Sequence, residues 1–229
     1  MSRRRALTWL GGLGLTALFP GCADDDPSAT PTTTTAAAAT TTGSEPIADC
    51  VLSPELTEGP FYLDLDLVRD DITEGKPGLP LDLQVNVVDV DACALISGAA
   101  VDIWHCDAEG MYSGIDGEAT TFLRGIQMTD SDGDAHFRTI FPGWYMGRAV
   151  HIHVKVHLVS AGTYTGQLFF DAGVLADAYT TEPYSARGAP DTSNASDGIF
   201  GQSGGGTILA VTPGEAGHTG AVTLGVQVA

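Results

Sequence analysis

The stretch His151-Ile152-His153-Val154-Lys155-Val156-His157-Leu158 alternates without a break, its even positions all apolar and its odd positions all polar. Successive side chains of a β-strand point to opposite faces, so this pattern describes a strand that buries one side. Ile152, Val154, Val156 and Leu158 face a core. His151 and His153 lie two residues apart on the other face, close enough for both imidazoles to reach one metal ion, whereas His157 lies about 13 Å beyond His153. The same two-residue period recurs over 81–87 and 221–228, and shorter strands are predicted over 99–105, 122–128, 135–140, 167–170 and 207–211. Helical periodicity is nearly absent. Many short strands separated by Gly- and Asp-rich turns predict an all-β fold, an antiparallel β-sandwich with long active-site loops and little helix.

One acidic run is a decoy. Asp130-Ser131-Asp132-Gly133-Asp134 resembles a calcium loop, but an EF-hand needs glycine at the sixth position and glutamate at the twelfth. Between two predicted strands, Asp132-Gly133 reads as a hairpin turn instead.

Upstream of the strands the chain changes character twice. Ser2-Arg3-Arg4-Arg5 precedes an apolar run too short to span a bilayer comfortably, so residues 1–21 are expected to be an export signal. The spacing from Ser2 to Leu7 resembles a twin-arginine signal, the route for proteins exported already folded around a cofactor. An ordinary secretory signal is the alternative. Leu18-Phe19-Pro20-Gly21-Cys22 resembles a lipoprotein cleavage box, which would leave Cys22 as a lipid anchor. Residues 22–44 are mostly Asp, Pro, Thr and Ala, with almost nothing large to bury, and are expected to be a disordered tether. The remaining 45–229, on the order of 185 residues, suffices for one domain with one core. The protein is therefore expected in the cell envelope or outside the cell.

Charge narrows the partners. Without Arg3, Arg4 and Arg5 the chain keeps seven basic residues against 29 acidic ones, a formal charge near −22. Such a surface repels nucleic acid and anionic lipid headgroups. A homo-oligomer is compatible with the sequence. With Cys22 lipidated, an oxidising compartment permits one disulfide among Cys50, Cys93 and Cys106. A strand over 99–105 would carry Cys106 about 20 Å from its start, near which Cys93 lies, so Cys50 to Cys93 is the expected pair.

By itself a His-x-His pair fits either a metal site or a solvated strand face. The surrounding residues discriminate: Trp104-His105-Cys106-Asp107-Ala108-Glu109-Gly110-Met111-Tyr112, then Pro142-Gly143-Trp144-Tyr145, then Arg148-Ala149-Val150-His151-Ile152-His153. From about Cys50 to Phe200 the chain resembles the intradiol ring-cleavage dioxygenases, particularly the protocatechuate 3,4-dioxygenase branch and its secreted bacterial relatives. That resemblance implies one non-haem Fe(III) held by Tyr112, Tyr145, His151 and His153, with Tyr145 and His153 as the axial pair. It implies catalytic roles for Tyr145, Arg148 and Gln167, and a substrate pocket at Thr57, Gly59, Pro60 and Phe61. Phe61 stands where many relatives carry tyrosine, and the interval from Tyr145 to His151 is short for the family. The implied reaction takes a catechol-type substrate and O2 and opens the ring between the two hydroxyls to a cis,cis-muconate-type diacid.

The chemistry of the donors agrees. Phenolates and imidazoles favour Fe(III), and only a highly charged ion makes two buried phenolates reasonable near neutral pH. Two rivals stay open at this stage. A cupin-like enzyme would pair His151 and His153 with a third His or Glu and leave the tyrosines without a task. A non-catalytic sandwich binding a partner or polysaccharide at the cell surface would hold no iron.

Overall fold

A computed structural model describes residues 50–115, 117, 119–159, 162–205 and 207–228. The expected export signal, the tether and Cys22 lie outside the described residues.

Among the described residues nine strands form two sheets. β1 (Pro80–Asp89) is the centre of the first, flanked by β9 (Gly217–Val226) and β8 (Ala210–Gly214) on one edge and by β5 (Asp134–Ile140) and β2 (Ala94–Leu95) on the other. The second runs in the order β4 (Arg124–Met128), β3 (Ala100–Trp104), β6 (His151–Leu158), β7 (Gly162–Phe169). Among the described residues helix is confined to two short segments, α1 (Ala172–Ala178) and α2 (Gly198–Gln202), and two 3-10 turns. Among the described strands all pairs are antiparallel except β1 with β9, a parallel pair that the long connection between them permits.

The core forms as the alternation predicts. Leu81, Leu83, Val85 and Val87 of β1 meet Val101 and Ile103 of β3 and Ile152, Val154 and Val156 of β6, all essentially inaccessible to water. Each such side chain contributes on the order of 1.5–3 kcal/mol by leaving water. Cys50 and Cys93 are joined by a disulfide that ties the start of the domain to the turn after β1, and Cys106 is free and buried.

Three local expectations change. The segment 130–134 is a tight turn, with Asp130 Oδ1 accepting the Asp132 and Asp134 amides, but it closes no hairpin. β4 and β5 belong to different sheets, so the turn carries the chain across the sandwich. The strand expected over 207–211 is divided. Thr207 and Leu209 bond to Phe169 at the end of β7, and the ladder with β9 starts only at Ala210, because this edge segment passes from one sheet to the other. β7 begins at Gly162, earlier than its polar Thr and Gly residues suggest. Gly166 leaves the space into which the Tyr164 ring folds, so the strand stays filled on its core face.

Antiparallel pairing places the end of β3, the start of β6, the start of β4 and the end of β7 together. Arg124, Trp104, His153 and Gln167 form one row of cross-strand neighbours there. Three connections converge over that row: the segment before β1, the β3–β4 loop and the β5–β6 loop.

Candidate metal centre

The outer face of β6 is not solvated at this end. His151 and His153 are 2% and 1% exposed, as inaccessible as the core face behind them, because the converging loops cover them. Two of those loops each deliver a tyrosine. Their spacing follows from two glycines, each two residues ahead of its tyrosine. A Cβ on Gly110 would collide with the Trp144 carbonyl, and one on Gly143 would lie 2.5 Å from the Ala108 carbonyl oxygen. The loops therefore touch backbone to backbone, further tied by Gly143 N donating to Asp107 O at 2.9 Å. Asp107 shapes the first loop from within, its Oδ1 accepting the Glu109 and Met111 amides.

Three donor atoms meet as a result, with the Tyr112 ring beside them. His151 Nε2 lies 3.1 Å from His153 Nε2 and 3.2 Å from the Tyr145 hydroxyl. The Tyr112 ring stands edge-on to both Tyr145 and His153, at 5.8 and 6.1 Å between centroids. The Tyr112 hydroxyl is buried and makes no hydrogen bond of sound geometry, and neither does His153 Nδ1. His151 Nδ1 donates to Ala149 O at 2.6 Å, which leaves the Nε2 lone pair pointing into the cluster. Burial, then the nearby Arg148 guanidinium, pushes His151 down to about 3; burial and then His151 push His153 well below the ordinary imidazole range. Burial therefore favours the neutral form of both rings, which leaves each with a lone pair to offer. Burial likewise raises both tyrosines, Tyr112 furthest, so neither becomes a phenolate by the protein's own electrostatics.

A largely buried group of two imidazoles and two phenols, one hydroxyl orphaned, fits a highly charged, hard-to-borderline cation such as Fe(III). Among the described residues no group of three or more His, Cys, Asp or Glu gathers as a metal site. Among the described residues, then, no third His or carboxylate of the cupin-like alternative joins the pair, and the neighbours that complete the set are the tyrosines.

The other expected site residues fall into two groups. Arg148 and Gln167 come together, Arg148 Nη2 donating to Gln167 Oε1, while Gln167 Nε2 donates to Thr57 O at 2.8 Å. Gly59, at φ +70°, packs against His153. Phe61 stacks on Tyr112 with 4.4 Å between ring centroids and meets Tyr145 edge-on. Thr57 turns its hydroxyl back to the Gly59 amide, Pro60 is exposed, and neither lines the cavity before the tyrosines.

Several supporting residues carry no sequence signal for these roles. Asp197 accepts Arg148 Nε at 2.9 Å and the Ala149 amide at 2.7 Å through one oxygen, while the other caps α2. Trp104 lies flat on His153, 4.9 Å between centroids and 6° from parallel. Buried Arg124 donates to Ser113 O at 2.8 Å and so holds the residue after Tyr112.

Beside this cluster, burial raises the Asp102 carboxyl to about 7, although a hydrogen bond from Tyr62 and the charges of Lys155 and Arg124 work against it. Below about pH 4 this group is protonated whether the chain is folded or not. As pH rises towards 7 the unfolded chain ionises while the folded one keeps its proton, so stability falls and the loss is complete above about 7. Asp102→Asn is expected to raise the melting temperature by several degrees above pH 7, with the gain vanishing towards pH 4. Melting curves across that range test this; a loss of stability near pH 7 in Asp102→Asn would mean that Asp102 is ionised and paired, and a gain independent of pH would mean that its titration is not the cause.

A family model described as Dioxygenase matches residues 52–185. The chain is 35% identical over 149 residues to catechol 1,2-dioxygenase 1 of Acinetobacter lwoffii, covering 54% of this chain and 48% of that one. It is 29% identical to a chlorocatechol 1,2-dioxygenase of Pseudomonas putida over 57% of this chain and 56% of that one. It thus spans about half the length of the curated relatives it matches. Among solved structures, an intradiol ring-cleavage dioxygenase from Tetranychus urticae superposes with a TM-score of 0.74 at 34% identity, covering 78% of this chain and 95% of the other. The dioxygenase domain of a carbohydrate-binding fusion from Streptomyces sp. SirexAA-E gives 0.61 at 28% identity, covering 78% and 100%. With the matched segment running through both tyrosine loops and both histidines, the chain belongs to the intradiol ring-cleavage dioxygenase family.

Proposed function

We propose that the protein is a non-haem Fe(III)-dependent dioxygenase that opens the ring of a catechol between its two hydroxyls, placing both atoms of O2 in a cis,cis-muconate-type diacid. The observation that carries this reading is the meeting of two phenols and two imidazoles in one cluster, buried except for Tyr145 at the cavity. Tyr112, Tyr145, His151 and His153 would hold the iron, which when bound supplies an electron-withdrawing centre for both catechol oxygens. The chain's own residues do the rest. Tyr145 is only partly buried and lines the cavity from which substrate arrives, so it is the ligand placed to leave and accept a hydroxyl proton. Phe61, stacked on Tyr112, forms an apolar wall for an aromatic ring. Arg148 is held by Asp197 and Gln167, which fixes a guanidinium where negative charge builds on the substrate.

Residues 1–21 would direct export, and Cys22 with the tether over 22–44 would hold the domain off a membrane; the sequence alone supports this part.

The purified, iron-loaded protein is expected to be red-brown from tyrosinate-to-Fe(III) charge transfer, and to convert catechol to the muconate diacid with both oxygens from labelled O2. Zinc in place of iron, with no visible band after iron reconstitution, or cleavage outside the diol, would overturn the reading.

A further inference from the structure

Which catechols enter is a separate question, and its answer rests on the ring-cleavage reading. In front of Tyr112 and Tyr145 lies a cavity of about 390 Å³. That falls in the range of about 300–1,000 Å³ that encloses drug-sized molecules, well beyond what a bare dihydroxybenzene fills. Phe61, Met111, Ile115 and Phe122 make most of its wall apolar. Met111 is 61% exposed at the rim, a flexible apolar side chain left where a substituent would emerge.

The charges of the wall have one sign left over. Lys76 is the cation that lines the cavity, and its charge is already balanced, with Nζ 2.8 Å from Asp107 Oδ2 and 3.8 Å above the Phe122 ring. Glu109 also lines the cavity, and its carboxylate has no ion-pair partner among the described residues. Three neighbouring arginines do not line it, and buried Arg124 is turned to the Ser113 carbonyl. Arg148 is engaged by Asp197, and Arg187 donates to the Trp144 and Ala108 carbonyls with its guanidinium over the Trp144 ring. A substrate carboxylate would meet an apolar wall, an occupied lysine and an uncompensated glutamate, on a chain of formal charge −19.

We propose that this cavity selects catechols bearing a bulky, uncharged substituent and rejects those bearing a carboxylate, with Glu109 as the specificity-determining residue. The Glu109 amide is held by Asp107 through the backbone, so changing its side chain leaves the loop's hydrogen bond in place.

The test uses the iron-loaded protein with catechol, 4-tert-butylcatechol, 3,4-dihydroxybenzoate and the methyl ester of that acid. Anaerobic calorimetry reads binding without turnover, and kcat/KM is read in O2. The butylcatechol is expected to bind at least as well as catechol, and the ester to exceed the acid by about tenfold or more in both measurements. Glu109→Gln should narrow that gap severalfold by improving the acid more than the ester, and added salt should narrow it further. An acid bound as tightly as its ester, or a Lys76→Met variant weakened for the acid alone, would overturn the proposal by making the cavity an anion seat. Equal movement of acid and ester in Glu109→Gln would remove Glu109 from its role. If even unsubstituted catechol fails to bind, the ring-cleavage reading falls, and the proposal with it.

Discussion

Replacing Gly143 with alanine is expected to strip most of the iron from the protein and to cost about 3 kcal/mol of stability. The backbone angle of Gly143 is not the reason; space is. An added methyl would lie 2.5 Å from the Ala108 carbonyl oxygen and 2.6 Å from its carbon, and these are backbone atoms that cannot rotate away. The Asp107 carbonyl that accepts the Gly143 amide crowds the same point, so the β5–β6 loop would have to lift off the β3–β4 loop. That separation spreads Tyr145 from Tyr112 and from the histidine pair. A displacement of even a few tenths of an ångström is costly in a densely packed interior. Gly198→Ala is the control, since nothing stands within 4 Å of the added carbon and the residue opens a helix. Metal analysis at saturating iron and thermal melts of the three proteins decide the matter. Full iron with the parent melting temperature in Gly143→Ala would show that backbone contact between the loops does not set the tyrosine spacing.

The second large effect separates the two tyrosines. Tyr145→Phe is expected to keep iron on three protein ligands yet slow anaerobic catechol binding by about 10²-fold, the usual loss when a positioned base is removed. Tyr112→Phe should bind catechol at a rate closer to the parent's but lose most of the remaining colour and ease reduction of the metal. The asymmetry comes from burial. Tyr112 is 7% exposed, stacked under Phe61 and followed by Ser113, which Arg124 holds in place. Tyr145 is only partly buried and faces the cavity, where a ring can swing. Stopped-flow mixing with catechol under argon measures the rates directly. A Tyr145→Phe protein that binds catechol as fast as the parent would reduce Tyr145 to a structural ligand.

Both predictions treat the site as a product of loop packing, and that marks the boundary of what the sequence reveals. The faces of β6 were readable from eight residues, because strand geometry alternates side chains whatever surrounds them. The pairing of His151 with His153 and the exclusion of His157 follow from that same local rule, and the sandwich from the number of short strands and turns. The two tyrosine loops were readable only through their resemblance to the family's segments, in which Gly110 and Gly143 precede Tyr112 and Tyr145 by two residues. Why glycine is required there was not, because the atoms that fill the space belong to the opposite loop.

Tertiary structure alone decided the rest. It buries the outer face of β6 under three converging segments, leaves Thr57 and Pro60 outside the cavity that Phe61 lines, and joins β1 to β9 in parallel. It also brings Asp197 to Arg148 from 49 residues away and sets the Lys76 charge against Asp107. Contacts of that kind depend on where distant segments meet, and period, propensity and turn chemistry describe only the residues within a few positions of one another. The sequence by itself therefore determined which faces and which donor types exist; folding determined which donors share a centre, which are shielded from water, and which charges remain uncompensated beside them.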